Sequence, residues 1–201
     1  MKALFLLLSK LHIFSEDMSL PQNIIINTNR CKLRITKKTD IPFIFSATRY
    51  KGFNDGMLWD APESEAELIE NFKHGVTKAW YKQSYGLTIC EKLNDKPLGR
   101  ISIRKDLDKV WTIGFWLHPK QQGKGYMTEA VAAILELGFE TLDASRIEAY
   151  HALWNVKSEK VLRRVGMKFI EHIPQGFMKK GEWVEENKLA ITKEEWNKLS
   201  R

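Results

Sequence analysis

A chain of 201 residues with 43% hydrophobic residues is long enough to bury the core of one α/β domain. It has no low-complexity stretch and no solenoid-type repeat, which argues against a disordered or a repeat protein. The formal net charge of +7 favours anionic partners in general, although excess lysine that keeps the protein soluble is the simpler explanation, and no nucleic-acid motif accompanies it. Cys31 and Cys90 lie far apart and outside any CxxC pair, so a disulfide framework or a zinc site is not expected and a reducing cytoplasm fits.

The sequence of the first 20 residues does not have the pattern of a strand or helix of the domain. The apolar run over residues 3–8 is much shorter than the roughly 20 residues of a membrane helix, and no small-residue cleavage site follows it. We therefore predict an N-terminal extension over residues 1–30 and a single domain over residues 31–197. A translation start at Met18 and a short surface helix are the two alternatives for the first 20 residues.

The next elements follow from hydrophobic period, capping and turn residues. Ser64 and Glu67 have the spacing of a capping box, which predicts the start of a helix. Large side chains on both faces of residues 110–119 are typical of a central strand. The predicted elements in chain order are a strand over 31–35, a helix from 39, an irregular segment over 52–60, a helix over 64–80, strands over 85–91, 98–105 and 110–119, a helix from 126, a strand over 146–151, a helix over 156–164, and strands over 167–173 and 183–192.

This order predicts an α/β (α+β) fold. Three antiparallel strands followed by alternating strands and helices give a mixed, mostly antiparallel sheet of about six to seven strands with helices on both faces.

The segment between the central strand and the following helix carries the clearest chemical signal. Its sequence is Gln122-Gly123-Lys124-Gly125-Tyr126. Two glycines let backbone N–H groups converge on an anion, the start of the helix adds a partial positive charge, and Lys124 adds a full one. The loop is neither a Walker loop nor a dinucleotide fingerprint. Taken alone, it predicts either a phosphate cradle or a bare tight turn.

Two blocks of sequence resolve that choice by resemblance. "HPKQQGKGYMTEAV" and, about thirty residues later, "NVKSEKVLRRVGMKF" resemble the two signature blocks of the GNAT acetyltransferases, and "GKGYMTEA" is typical of the Rim-type (RimJ/RimL-like) group that acetylates protein N-termini and small amines. The resemblance extends from Cys31 to Trp196, with methionine at 127 and 167 where the family pattern has other residues. It implies the GNAT fold and an N-acetyltransferase that uses acetyl-coenzyme A without a metal.

The same resemblance implies a coenzyme A site. The strands on either side of the cofactor would splay apart, with a bulge or close approach at Gly114, and the backbone at Trp116 and Leu117 would hold the thioester carbonyl. Asn155 would contact the pantetheine, which is compatible with an N-cap role, and Ser158 would lie near the sulfur or be a plain surface hydroxyl. The residues expected to bind the pyrophosphate are Gln122, Gly123, Lys124, Gly125, Tyr126 and Met127.

For the chemistry, the resemblance implies direct attack of a neutral amine on the thioester. The Glu/Tyr pair of the ribosomal-alanine branch corresponds here to Tyr150 and Leu162, so no general base is assigned. Glu129, in the first turn of a helix, is interpreted as a partner of the helix dipole. The loop carrying Met57, Trp59 and Asp60 is expected to bind the acceptor, with a core contact as the alternative for Trp59.

The resulting functional prediction is a cytoplasmic transferase that acetylates a primary amine, with a protein N-terminal α-amine of the ribosomal-protein alanine type as first acceptor. Small amines such as a polyamine, an aminoglycoside or an amino-acid derivative are the alternative, and a non-catalytic acyl-CoA-binding domain is the third. We expect a monomer or homodimer without a membrane or direct nucleic-acid partner, and a ribosomal protein as a candidate partner.

Overall fold

A computed structural model describes residues 20–199 of the chain, except for the side chains of residues 73–78 and 81. The predictions for residues 1–19 therefore lie outside the described residues. Residues 25–27, which the predicted boundary places in the extension, pair with residues 32–34 in the sheet, so the division stays a prediction only for the residues before them. The elements are β1 Ile25–Asn27, β2 Cys31–Ile35, α1 Ile41–Thr48, α2 Glu65–Tyr81, β3 Ser84–Glu91, β4 Pro97–Leu107, β5 Val110–Leu117, α3 Tyr126–Glu140, β6 Arg146–Ala152, α4 Val156–Arg164, β7 Lys168–Lys179, β8 Glu182–Thr192 and α5 Lys193–Leu199.

Within residues 20–199 the strands form one sheet of eight, in the order β1-β2-β3-β4-β5-β6-β8-β7. The α/β class and the mixed, mostly antiparallel sheet are confirmed, because β5 and β6 are parallel and the other neighbours are antiparallel. The predicted strand count is too low, since β1 has only 3 residues and too little alternation to be recognised. The strand predicted to stop at residue 173 continues, because a register shift between Ile173 and Phe177 accommodates the proline and glycine there.

The helices cover both faces of the sheet. Arg100 and Ser102 of β4 line a groove together with residues of α1 and α2. Ile103, which points to the opposite face, contacts Gly138 of α3, and α3 packs against α4. Even-numbered residues of β4 therefore face α1 and α2, and this alternation assigns the side chains of the neighbouring strands to the same two faces.

The start of α2 shows why the capping prediction holds only in part. The Ser64 Oγ accepts a hydrogen bond from the Glu67 backbone N–H at 3.3 Å, as an N-cap should. The Glu67 carboxylate instead accepts from the Glu63 N–H at 2.9 Å, one residue before the cap. The helix begins where the sequence predicts, with the second arm of the capping box shifted by one residue.

Both cysteines are buried and free. Burial raises the pKa of the Cys31 thiol to about 11 and that of the Cys90 thiol to about 12. Both thiols are therefore protonated at neutral pH, which is the state of ordinary buried strand residues rather than of nucleophiles.

A buried ion pair joins β2 to the turn before α1. The Arg34 guanidinium donates to both carboxylate oxygens of Asp40, at 2.8 and 2.9 Å, and also to Asp95 at 2.8 Å. Asp40 accepts further hydrogen bonds from the Lys37 N–H at 2.8 Å and from the Thr88 hydroxyl at 2.9 Å. Burial alone would raise the pKa of Asp40, but these hydrogen bonds outweigh it and hold the pKa below its usual range.

This network predicts an acid-sensitive contribution to stability. A carboxylate whose pKa is lowered by folding stabilises the folded state above its unfolded pKa, near 3.9, and loses that contribution as the pH falls through the folded pKa. Asp40→Asn should lower the free energy of unfolding by about 3 kcal/mol at pH 7, because the buried Arg34 charge then keeps, among the described residues, a single carboxylate partner, Asp95. Denaturant titrations at pH 7 and pH 3 measure this, and the difference from wild type should shrink at pH 3.

The control is Asp108→Asn, because the Asp108 side chain is 88% exposed and its carboxylate lies as far as 4.0 Å from Lys105 Nζ, which makes the ion pair weak. This variant should unfold like wild type at both pH values. Equal effects of the two substitutions would contradict the stabilising role of the Asp40 network.

Candidate active site

The sheet opens at its one parallel pair. β5 and β6 are in register from Val110 with Arg146 to Ile113 with Ala149, and no pair beyond Ala149 joins these two strands although both continue within the described chain. Residues 114–117 of β5 keep their antiparallel pairing with β4, while residues 150–152 of β6 keep theirs with β8. The two strands therefore diverge and leave a gap at the carboxyl end of β5.

Gly114 is the first residue of β5 beyond the parallel ladder. Of the two expectations for Gly114, a bulge or a close approach, the bulge is absent, because Gly114 pairs with Ser102 in regular register and the β4–β5 irregularity lies between Lys105 and Leu107. The Ser102 hydroxyl donates to the Gly114 carbonyl at 3.3 Å. Because β6 also pairs with β8 in regular register over residues 146–152, the two strands diverge here without a bulge in either of them.

The loop after β5 carries the two predicted glycines in the left-handed conformation. Gly123 and Gly125 each have a φ of +81°, which favours glycine over residues with a Cβ. Gly125 is the N-cap residue of α3 and therefore offers no side chain to cap the helix. The first N–H groups of α3 are left without a side-chain acceptor at the cap, which makes them available to an anion.

Three cations surround this loop. Lys124 Nζ donates to Gln121 Oε1 at 3.1 Å, and Lys157 Nζ from α4 donates to Gln122 Oε1 at 3.2 Å. Arg30, from the turn between β1 and β2, donates to the Lys124 carbonyl at 3.0 Å. Sequence reasoning identified Lys124 but missed Arg30 and Lys157, because 94 and 35 residues separate them from their loop partners and no local motif marks such contacts.

Glu129 holds the Arg30 turn against the start of α3. Its carboxylate accepts from the Thr28 hydroxyl at 2.5 Å, from the Arg30 N–H at 2.6 Å and from the Arg30 Nε at 2.9 Å. Burial would raise the pKa of Glu129, but these hydrogen bonds lower it overall. The carboxylate is therefore ionised and occupied by these hydrogen bonds. Glu129 thus has a structural role at the start of α3 rather than the role of a general base.

α4 begins next to the same loop. The Asn155 side-chain oxygen accepts from the Ser158 N–H at 3.2 Å, so Asn155 caps α4 as one of its two predicted roles requires. Ser158 is half-buried in the first turn. Because Lys157 reaches Gln122, the capped end of α4 lies beside the glycine loop.

On the face toward α1 and α2, a cluster from β6 and β8 lies beside the gap. The Tyr150 hydroxyl donates to Glu148 Oε2 at 3.0 Å, and Glu148 also lies 2.8 Å from Arg146 Nε and 3.4 Å from Lys188 Nζ. Burial, followed by the neighbouring Glu148, raises the pKa of Tyr150. In the sequence, Tyr150 is singled out only because it stands where the ribosomal-alanine branch carries a glutamate. Its contact with Lys188 could not be predicted, because it depends on the β6–β8 register.

The irregular loop over residues 52–60 covers the end of β5 on the same face. Phe53 packs edge-on against Trp116 with ring centroids 5.3 Å apart, and against Trp59 at 6.5 Å. Lys179 of β7 fixes the loop by donating to the carbonyls of Met57 at 3.0 Å and Trp59 at 2.9 Å. The predicted acceptor loop therefore lies over Trp116, beside the gap.

Asp60 extends the same contact. Its carboxylate lies 2.7 Å from Lys179 Nζ while its side chain is 87% exposed. The hydrogen bond and charge of Lys179 lower the pKa of Asp60. The carboxylate is ionised, but a cation already accompanies it, which weakens the attraction it can exert on an amine.

Comparisons with known proteins agree with this architecture. Residues 30–168 match the family model described as an acetyltransferase (GNAT) domain. YnaD of Bacillus subtilis (strain 168), named an uncharacterized N-acetyltransferase, is 38% identical over 94 residues, which cover 45% of this chain and 53% of YnaD. The match therefore spans about half the length of that curated relative.

Two solved structures of similar fold contain coenzyme A. RimL, a ribosomal L7/L12 alpha-N-protein acetyltransferase, has a TM-score of 0.75 at 18% identity, covering 84% of this chain and 98% of that one. The spermidine N-acetyltransferase from Vibrio cholerae, in complex with CoA and spermine, has a TM-score of 0.73 at 16% identity, covering 84% and 98%. No helix in the described part of the chain is long and apolar enough to cross a membrane.

Proposed function

The chain belongs to the GNAT acetyltransferase domain family, and from this membership we propose that it transfers the acetyl group of acetyl-coenzyme A to a primary amine. The observation that carries the proposal is the divergence of β5 and β6 directly before the glycine loop. A strand-like pantetheine arm fits a gap between two diverging strands, since exposed backbone groups there lack a neighbouring strand. An anionic pyrophosphate fits the positive end of α3.

We assign the pyrophosphate to the backbone of the loop and the first turn of α3. The left-handed glycines leave that surface free of Cβ atoms, and nothing lies within 4 Å of the position that a Cβ of Gly123 would occupy. Arg30, Lys124 and Lys157 contribute positive charge around the loop. Asn155 holds the start of α4 beside it and contacts the pantetheine arm. The residues proposed to bind the pyrophosphate are Gln122, Gly123, Lys124, Gly125, Tyr126 and Met127.

Acetyl-coenzyme A supplies an activated thioester, and the residues of this chain position and polarise it. The backbone at Trp116 and Leu117, at the open end of β5, holds the thioester carbonyl. Ser158 stands near the sulfur and assists the leaving thiolate. Positioning of amine and thioester in this gap accounts for most of the rate in our proposal.

An N-terminal α-amine is the acceptor that this arrangement favours. Glu129 is held by Thr28 and Arg30, and Glu148 by Tyr150 and two cations, so neither carboxylate is free to take a proton. We propose that the acceptor itself supplies the neutral amine, and an α-amine has a pKa near 8 whereas a lysine or similar alkyl amine titrates near 10.4.

Small amines remain the second candidate acceptor. The RimL and spermidine acetyltransferase structures share this fold, so the fold alone favours neither class. Acetyl transfer measured across a panel of Ala-starting peptides and polyamines, with free thiol as the readout, distinguishes them. We propose a cytoplasmic enzyme acting on protein N-termini, those of ribosomal proteins among them. Failure of every amine to release thiol would favour the non-catalytic acyl-CoA-binding alternative.

Gly125→Val should abolish tight binding of coenzyme A while the fold survives. A valine there has an unfavourable φ of +81°, and its Cβ lies 3.3 Å from Arg30 Nη2, in the surface proposed to meet the pyrophosphate. We expect at least a hundredfold rise in the dissociation constant by calorimetric titration.

Gly181→Val is the matched control. Gly181 has a φ of +85° with nothing within 4 Å of its Cβ position, and it lies in the turn between β7 and β8. This variant carries the same backbone strain and should bind coenzyme A like wild type. Unchanged binding by Gly125→Val would exclude the loop as the pyrophosphate site.

The pH dependence tests the absence of a dedicated base. For an Ala-starting peptide, kcat/KM should rise with pH until the peptide α-amine has titrated, near pH 8. Ser158→Ala should lower kcat by about tenfold and leave the shape of this profile unchanged. If the kcat/KM profile instead falls below a pKa that belongs to a group of the enzyme, and this fall disappears in Glu148→Gln, a base exists and the proposal is contradicted.

A further inference from the structure

A second feature lies on the α1/α2 face of the sheet, one strand from the gap. A groove of about 370 Å³ opens between α1, α2 and strands β3 and β4. Its walls are mainly apolar, with Ile41 and Ile44 from α1 and Leu68 and Phe72 from α2. Arg100 of β4 is the one charged side chain among the described residues that line it.

Arg100 lacks a partner that would explain its position. Among the described residues, no acceptor is within hydrogen-bond distance of its buried Nε, and no carboxylate forms an ion pair with its guanidinium. The buried carboxylate whose charge acts on Arg100, that of Asp40, already accepts hydrogen bonds from Arg34, Lys37 and Thr88. An arginine is rarely placed in an apolar groove without an anion to balance its charge.

Arg100 lies against β3 at the wall of the groove, whose volume leaves room for such an anion. Gly86 of β3 lies under the guanidinium, and a Cβ added there would be 3.1 Å from Arg100 Nη2. Ser102, two residues along the same face, donates its hydroxyl to Gly114 at the start of the gap. Asn71 and Ser84 add further polar groups at the groove wall. The groove thus combines one cation, a few hydrogen-bonding groups and apolar walls.

The groove is also close to the proposed reaction centre. Arg100 is the β4 partner of Trp116, whose side chain shares the α1/α2 face at the open end of β5. Adjacent strands lie about 5 Å apart, so a ligand with its amine at the gap and a carboxylate at Arg100 must separate the two groups by several bonds. An acidic side chain at the second position of a peptide has such a separation from the α-amine.

We propose that Arg100 and this groove form a subsite for a carboxylate carried by the acceptor, several bonds from the amine that is acetylated. The inference rests on the proposed function, since it places the amine at the gap between β5 and β6. It goes beyond that function by giving the acceptor a charge: the enzyme prefers an N-terminus followed by an acidic residue. Arginine suits this task because its planar fork binds a carboxylate through two parallel hydrogen bonds.

Two pairs of acceptors separate the sources of the carboxylate. The peptide arm compares Ala-Glu-Ala-Ala amide with Ala-Gln-Ala-Ala amide, and the small-molecule arm compares 5-aminopentanoate with 5-aminopentanamide. For the wild-type full-length chain we expect the carboxylate peptide to exceed its amide partner by about tenfold to a hundredfold in kcat/KM, mainly through KM. Calorimetric titration of the same peptides in the presence of coenzyme A should show the same ratio in the dissociation constants. A preference in the small-molecule arm alone assigns the carboxylate to a free amino acid rather than a peptide.

Arg100→Gln should reduce the carboxylate-to-amide ratio to about one, and Arg100→Lys should retain part of it. The matched control is Arg104→Gln, because Arg104 lies on the same face of β4 but is exposed, and the wild-type ratio should persist. If Arg100→Gln does not fold, as judged by thermal melting, Gly86→Ala serves instead, since a methyl group 3.1 Å from Arg100 Nη2 forces the guanidinium to move by a few tenths of an ångström while keeping the charge. That variant should also lower the ratio.

A wild-type ratio near one in both arms overturns the subsite. A ratio that survives in Arg100→Gln, or in Gly86→Ala where the first variant does not fold, overturns it as well. Failure of the proposed function gives a different result, because no amine then releases thiol, while the calorimetric comparison of the two peptides still reports on Arg100.

Discussion

The parallel pairing of β5 with β6 is the constraint on which the rest of the site depends. Four residue pairs hold the two strands together, and beyond Ile113 and Ala149 each strand keeps only its other neighbour. Backbone groups freed in this way need a partner, and an extended ligand can provide it as a strand would. The same divergence places the end of β5, the glycine loop and the start of α4 around one opening, so a single change of strand direction assembles them.

The charges around this opening are divided between anchoring and binding. Glu129 uses its carboxylate to fix the Arg30 turn at the start of α3, and Lys179 uses its ammonium to fix the loop over residues 57–60. Without these contacts, the charges of Glu129 and Lys179 would be candidates for catalysis or for substrate binding. Arg100 is the contrasting case, because its guanidinium faces a groove and is not used by its neighbours. The structure thus distinguishes charged groups that are already paired with neighbouring residues from those that are not, which the sequence does not show.

Much of the fold could be predicted because its signals are local. The capping serine at 64, the apolar stripe of α3 and the glycine pair at 123 and 125 all act within one or two turns of chain. Features that depend on contacts between distant segments could not be predicted. Arg30 reaches the glycine loop across 94 residues, and Tyr150 meets Lys188 only because β6 pairs with β8. The short β1 was missed for the same reason, since its pairing with β2, rather than its own 3 residues, makes it a strand.

Amide hydrogen exchange with and without coenzyme A tests the central claim most directly, because it reports which backbone groups acquire a partner. If the cofactor occupies the gap, protection should rise at residues 114–117 of β5, at residues 123–127 of the loop and at the start of α4, while the β7–β8 hairpin is unchanged. Protection that rises elsewhere in the chain, with residues 114–117 and 123–127 unaffected, would contradict the assignment of the gap and the loop as the cofactor site.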